Sequence, residues 1–308
     1  MRSCTTPTFA TSRWSTSSKR TGWAMTRATR LPERARGGAG VSPAPPDDVS
    51  VPATLASARR QGSPDEGSRA AMTNAYHEEL LTELKRCAAG APAWEGLQHY
   101  LGTSKGCYPV GAQARGKTVA DWLAAHRDLS LREYCDLIGS LCRGESFDEI
   151  ALAGALLDRV PRLRKQIDPQ LLAEWLEGVE GWAEVDSLCQ SHFSGDEVLA
   201  RWDDWQRLLA HLAADANIHK RRASLVLLTR PVRSSADERL AGQAFANIDR
   251  LKGERHILIT KAVSWLLRDL VKHHRERVAS YIEENEAALP RVAVRETRRK
   301  MLTGRKAG

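Results

Sequence analysis

Helix punctuation constrains this chain more than any other feature. From Met72 onward, Ser-x-x-Glu recurs at Ser130/Glu133, Ser146/Glu149, Ser194/Glu197 and Ser235/Glu238. In such a pair the serine oxygen accepts from an orphan N–H of the first turn, and the glutamate reaches back to the cap N–H. Each pair therefore predicts a helix start. Asp168-Pro169 is another start signal, because proline at the first helical position gives up an N–H that would have gone unpaired. Between starts the apolar residues keep to one side. Leu80, Leu81, Leu84 and Cys87 form one stripe, and Ile150, Leu152, Ala155, Leu156 and Val160 form another. No alternating strand of convincing length interrupts them.

Connections of about three to six residues make neighbouring helices pack antiparallel. The expected fold is all-α: roughly twelve helices in consecutive hairpins, a HEAT-like helical-repeat α-solenoid. No strict period appears, which argues against a consensus tetratricopeptide or ankyrin array. Stacked pairs curve, and one helix of each pair lines the concave side, so residues distant in sequence can meet there.

Residues 1–72 break this pattern. They are rich in Ser, Thr, Pro, Gly and Arg, show no 3.6-residue period and read as unstructured. Their opening is acid-poor, as transit peptides are, with Glu33 the first acidic residue. Met72 directly precedes the first good helix, so an upstream extension from a misassigned start is the favoured explanation. The folded domain is expected over residues 73–308.

Within the expected domain of the 308-residue chain, charge is unevenly divided. Residues 73–216 carry 14 Lys/Arg against 23 Asp/Glu, net −9, and residues 217–308 carry 21 against 10, net +11. A basic final third beside an acidic middle is a candidate footprint for a polyanion, or a solvated helical surface. No apolar run is long enough to predict a transmembrane helix. The 6 cysteines include no C-x-x-C pair, which argues against a zinc ribbon or disulfide framework and suits a reducing cytoplasm.

Several chemistries have no signature here. There is no Gly-rich phosphate loop, no G-x-S-x-G, no H-E-x-x-H and no dinucleotide fingerprint. His273-His274 point about 100° apart on a helix, the wrong arrangement for a shared metal, and read as a solvated helix end. No metal and no cofactor is expected.

What remains is a set of aromatic, acidic and basic residues. Trp182 and Asp186 stand four apart in a helical stretch and leave it on one face. An aromatic plate beside a carboxylate suits a cleft for a flat or cationic group. The plainer reading is a core tryptophan with a solvated aspartate one turn later. Lys220, Arg221 and Arg222 cover most of one helix circumference, so at least one must face inward or along a groove, where an arginine fork suits phosphate. Lys261, Trp265, Arg268 and Lys272 fall on a single stripe, while the leucines take the other faces. Gln113, Arg115 and Lys117 read as a small polar-basic loop, either reaching a nucleic-acid backbone or simply on the surface.

In order and spacing, these residues resemble the AlkD family of DNA alkylation repair glycosylases. The resemblance rests on Trp182-x-x-x-Asp186, Asn217-Ile-x-x-x-Arg222 and Lys261-Ala-Val-Ser-Trp265-x-x-Arg268. Cys107-Tyr-Pro-Val-Gly111 and the closing Arg295–Gly304 segment add to it, so it spans roughly residues 74–304. It implies a basic concave surface holding duplex DNA and excision of purines alkylated at N3 or N7, without flipping the base into a pocket. Trp182 and Trp265 would be aromatic walls and Asp186 the catalytic carboxylate. Arg222 would hold a phosphate, with Arg221, Lys261, Arg268 and Lys272 as further DNA contacts. The partner would be double-stranded DNA bearing alkylated purines, and the protein a monomer.

The chemistry follows from the substrate's charge. An N3- or N7-alkylpurine is already cationic and leaves as a neutral base without protonation. One carboxylate can then suffice, where hydrolysis of an ordinary glycoside needs two. His219, Lys220 and Val110 stand where the family often carries larger apolar or aromatic residues. A non-catalytic HEAT-like module that binds DNA is the alternative, and a protein-binding solenoid a third.

Overall fold

The computed structural model describes residues 74–93 and 95–305, so the expectation for residues 1–72 lies outside it. Among these residues the chain forms 14 helices. They are α1 (Ala75–Ala88), α2 (Leu97–Leu101), α3 (Ala112–Ala125), α4 (Leu131–Cys142), α5 (Phe147–Arg159), α6 (Pro161–Arg164) and α7 (Leu171–Trp175). Then come α8 (Trp182–Cys189), α9 (Gly195–Leu199), α10 (Trp202–Ala214), α11 (Ile218–Ser234), α12 (Glu238–Leu251), α13 (Ile257–Asn285) and α14 (Arg291–Thr303). No strand occurs among the described residues, where one isolated bridge joins Gly106 to Ser146. None of the helices is long and apolar enough to cross a membrane.

The helices form the two layers of a helical-repeat stack. In one row α3, α5, α8, α11 and α13 pack each on the next, and α14 closes the row against α13. Behind them α1, α4 and α7, then α10 and α12, supply the second layer. The anchor is α11, which touches α8, α9, α10, α12 and α13. Its residues Ala223 to Thr229 are all buried, as expected of a helix covered on every side. Where α5 crosses α8, Gly154 allows a close approach: a Cβ there would sit 2.0 Å from the Ser187 carbonyl oxygen. Any side chain at 154 would push α8, and its residues, off the row.

Three of the four predicted capping boxes form with both hydrogen bonds, at Ser130/Glu133, Ser146/Glu149 and Ser194/Glu197. The fourth does not. Ser235 ends α11, and Asp237 caps α12 by accepting from the Arg239 N–H at 2.9 Å. Asp237 takes the cap two residues later, while the Ser235 hydroxyl accepts from the Asp237 N–H at 3.2 Å, so the helix starts past the serine. Glu238 becomes the first residue of α12 and pairs with Arg277 instead.

Helix lengths are also less even than the predicted hairpins. α2 and α6 are clipped to one turn, α2 between Gly96 and Gly102, both left-handed, and α6 just after its N-terminal Pro161. At the other extreme α13 runs 29 residues through a non-helical break at His274. His274 is not on a solvated end: it is buried, with Nδ1 3.3 Å from Glu238. Gln113, Arg115 and Lys117 lie on α3 rather than on a loop. Arg115 donates to Asp148 at 2.7 Å and to the Val110 carbonyl at 2.6 Å, and Lys117 pairs with Asp121. These cations fasten α3 to α5 and to its own surface.

Candidate active site

α8 begins at Trp182 because Gly181 can approach its neighbour more closely than any other residue. A Cβ at 181 would lie 2.6 Å from the Leu101 carbonyl oxygen and 2.8 Å from that of Gly102. The seam places Trp182 against α2. Its indole N–H donates to the Tyr100 carbonyl at 2.8 Å, and the Tyr100 ring stands edge-on at 5.6 Å with planes 89° apart. Tyr100 keeps 59% of its surface exposed. A half-buried indole and an open phenol therefore form one aromatic corner. Tyr100 was not among the sequence candidates, since nothing in the spacing of a one-turn helix marks it.

One turn on, Asp186 meets Arg222. The guanidinium gives Nε and Nη2 to Oδ1 at 3.2 and 2.9 Å, and Nη2 also reaches Oδ2 at 3.1 Å. Its Nη1 donates to the Leu258 carbonyl in the first turn of α13 at 2.8 Å. Asp186 is thus joined to α11 and, through Arg222, to α13. Burial pushes its carboxyl above the ordinary aspartate range, and the Arg222 charge pulls it back. Cation and anion are both largely removed from water, which makes each dependent on the other.

All three consecutive cations of α11 find acids on different elements. Lys220 is buried and pairs with Glu177, with Asp215 at 3.7 Å. Arg221 takes Glu254 at 2.8 and 3.1 Å. Arg222 is the one that reaches Asp186. His219, a turn before Arg222, is half-buried with its Nδ1 enclosed and unpartnered, and burial pushes its imidazole below the ordinary range.

On α13, Trp265 lies about two turns beyond Leu258, half-buried. Four residues later comes Asp269, whose carboxyl is pushed up by burial and pulled back by Arg233, 3.6 Å away, and by the Trp265 side chain. The Trp-x-x-x-Asp arrangement of α8 thus recurs on α13. The rest of the predicted stripe divides. Arg268 pairs with Glu296 of α14 at 2.7 Å, while Lys261 and Lys272 are exposed and Lys272 donates to the Arg233 carbonyl at 2.7 Å. The structure joins Asp186 and Arg222 to the first turn of α13, while Trp182, one turn before Asp186 on α8, packs against Tyr100. It commits Arg221, Arg222 and Arg268 to carboxylates, so Arg222, expected to hold a phosphate, holds Asp186 instead.

The sequence matches the family model described as DNA alkylation repair enzyme over residues 80–301. The chain belongs to that family. The matched span contains Trp182, Asp186, Arg222 and Trp265, and Tyr100 as well. A predicted DNA alkylation repair enzyme from Enterococcus faecalis, of solved structure, is similar in fold. Its TM-score is 0.54 at 17% identity, over 65% of this chain and 91% of its own. No curated protein matches the sequence. For a DNA alkylation repair enzyme the partner is DNA.

Proposed function

We propose that this DNA alkylation repair enzyme is a hydrolytic glycosylase, which cleaves the N-glycosidic bond of cationic N3- and N7-alkylpurines in duplex DNA. The carrying observation is Asp186: a carboxylate largely removed from water, fixed by Arg222, one turn from a tryptophan partly open to solvent. A module that only binds DNA gains nothing from an anion in a groove meant for phosphates.

In this reading the alkylated base already carries the positive charge that makes it a leaving group. As the bond to C1′ lengthens, positive charge develops on the sugar, and Asp186 stabilises it and orients the attacking water. At ~4 Å and an effective dielectric of ~20, opposite charges attract by about 4 kcal/mol. That is an upper figure of roughly a thousandfold in rate, since part of the attraction already acts on the cationic ground state. Trp182 and Trp265 supply faces for the cationic base and the sugar C–H groups. Arg222 keeps the carboxylate ionised and in place. Lys261 and Lys272, both exposed, are the cations left for the phosphates. No Schiff base, metal or cofactor takes part, and the enzyme acts as a monomer in the cytoplasm.

The second reading is a non-catalytic DNA-binding module, favoured by one fact: Asp186 is neutralised by Arg222 and so could be merely structural. Duplex DNA containing N7-methylguanine separates them. The glycosylase frees the base above the spontaneous rate, leaves an abasic site, and forms no adduct that borohydride traps. No release from that substrate or from N3-methyladenine DNA leaves the binding module, and a trapped adduct contradicts the simple hydrolytic mechanism.

A further inference from the structure

Glu184 is fully buried, two residues from Trp182 and two from Asp186. At about 200° from each around the helix, it points away from the face those two share. Oε1 accepts from the Thr103 hydroxyl at 2.5 Å, and Oε2 accepts from the Glu180 N–H at 2.7 Å. Lys105 Nζ stands 4.0 Å from Oε2 and donates to the Gly178 carbonyl at 2.5 Å. A buried carboxylate is costly to keep, and here each of its oxygens accepts a hydrogen bond whose donor would be orphaned without it. What the carboxylate specifies is geometry. It holds Thr103, itself buried, three residues after the Tyr100 carbonyl that receives the Trp182 indole N–H. Glu180 adds a second fastening, accepting from the Ser104 N–H at 3.0 Å and from its hydroxyl at 2.5 Å.

We infer that Glu184 is a positioning residue: by anchoring Thr103 it fixes Tyr100 against Trp182 and so sets the plane of the aromatic wall beside Asp186. This rests on reading Trp182 as a wall of the reaction site. The tightness of the Gly181 seam means a small shift in residues 100–103 must be taken up by the indole. Displacement of a positioning group by about 1 Å can cost on the order of a hundredfold in rate.

The test uses Thr103→Val, which keeps the shape and removes the hydroxyl, with Glu184→Ala and the conservative Glu184→Gln. Hydrogen exchange of the indole N–H resonances, with Trp182 assigned by Trp182→Phe, reads the hydrogen bond to Tyr100 directly. Base release from N7-methylguanine DNA reads its consequence. In Thr103→Val we expect the Trp182 indole to exchange at least tenfold faster. Its kcat should fall roughly tenfold to a hundredfold with DNA affinity within about twofold, and Glu184→Gln should stay near wild type. A merely structural role predicts the opposite: lower thermal stability, with indole protection and kcat per folded molecule unchanged. That result in Thr103→Val, with backbone amides of α5 and α11 protected as in wild type, overturns the inference. If Glu184→Ala does not fold, Thr103→Val still decides. If wild type releases no base, the glycosylase reading fails on its own, and the indole exchange alone settles whether Glu184 positions Trp182.

Discussion

Arg222 and Asp186 are paired in a fork, with Nη2 of the arginine 2.9 Å from one carboxylate oxygen and 3.1 Å from the other. The side chains keep only 5% and 13% of their surface, so neither charge has much water to fall back on. Removing one partner leaves the other buried and uncompensated, at a cost of about 3–5 kcal/mol. Arg222→Met is therefore expected to lose stability in that range by chemical denaturation. The double variant Arg222→Met/Asp186→Leu should recover a large part of it. A single variant as stable as wild type would show that the pair does not hold this part of the stack.

The same pair sets a pH dependence. The folded Asp186 carboxyl titrates above its unfolded value of 3.8, with burial outweighing Arg222. The folded state then holds this proton more tightly than the unfolded state. Asp186 contributes its stability fully below 3.8 and loses it as pH rises through the folded value. Compared with Asp186→Asn, wild type should lose relative stability across that window and then level off. The chemistry runs the other way, because the ionised form is the active one. The acid limb of base release should rise through a midpoint above the ordinary aspartate value and vanish in Asp186→Asn. Denaturation and single-turnover rates from pH 4 upward measure both, and a limb at or below the ordinary value would contradict the assigned burial.

Cations that already have acids should contribute little to DNA affinity. Arg221 and Arg268 are held by Glu254 and Glu296, whereas Lys261 and Lys272 are exposed. Removing a cation that neutralises one phosphate should reduce the slope of log affinity against log salt by about 0.9. Lys261→Ala and Lys272→Ala are expected to show that reduction in a salt titration, and Arg221→Ala and Arg268→Ala to leave the slope unchanged while lowering stability. Equal slope changes in all four would mean that DNA opens the two ion pairs.

These contrasts mark what could be read from the chain alone. Trp182 with Asp186, and Lys261 with Trp265 and Lys272, were legible because each group shares one helix and helical spacing is local. The layered stack was legible for a similar reason: caps and apolar stripes are written within a turn or two. Pairing across the stack was not. Asp186 and Arg222 are 36 residues apart, Arg268 and Glu296 are 28 apart, and no period connects them. The cations of α11 therefore looked free for phosphate when each has its own acid. Tyr100 escaped notice because its role comes from a backbone carbonyl and a glycine seam, neither of which has a side-chain signature. At Ser235 two local signals competed, and the nearer aspartate took the cap.

In the proposed mechanism Asp186 is the group that accelerates bond cleavage. The decisive measurement is the single-turnover rate of N7-methylguanine release from duplex DNA by wild type and Asp186→Asn, with DNA affinity measured for both. We predict that the variant binds DNA at least as well and loses most of the acceleration over the spontaneous rate, up to roughly a thousandfold. An Asp186→Asn protein that binds DNA and releases base as fast as wild type would contradict it.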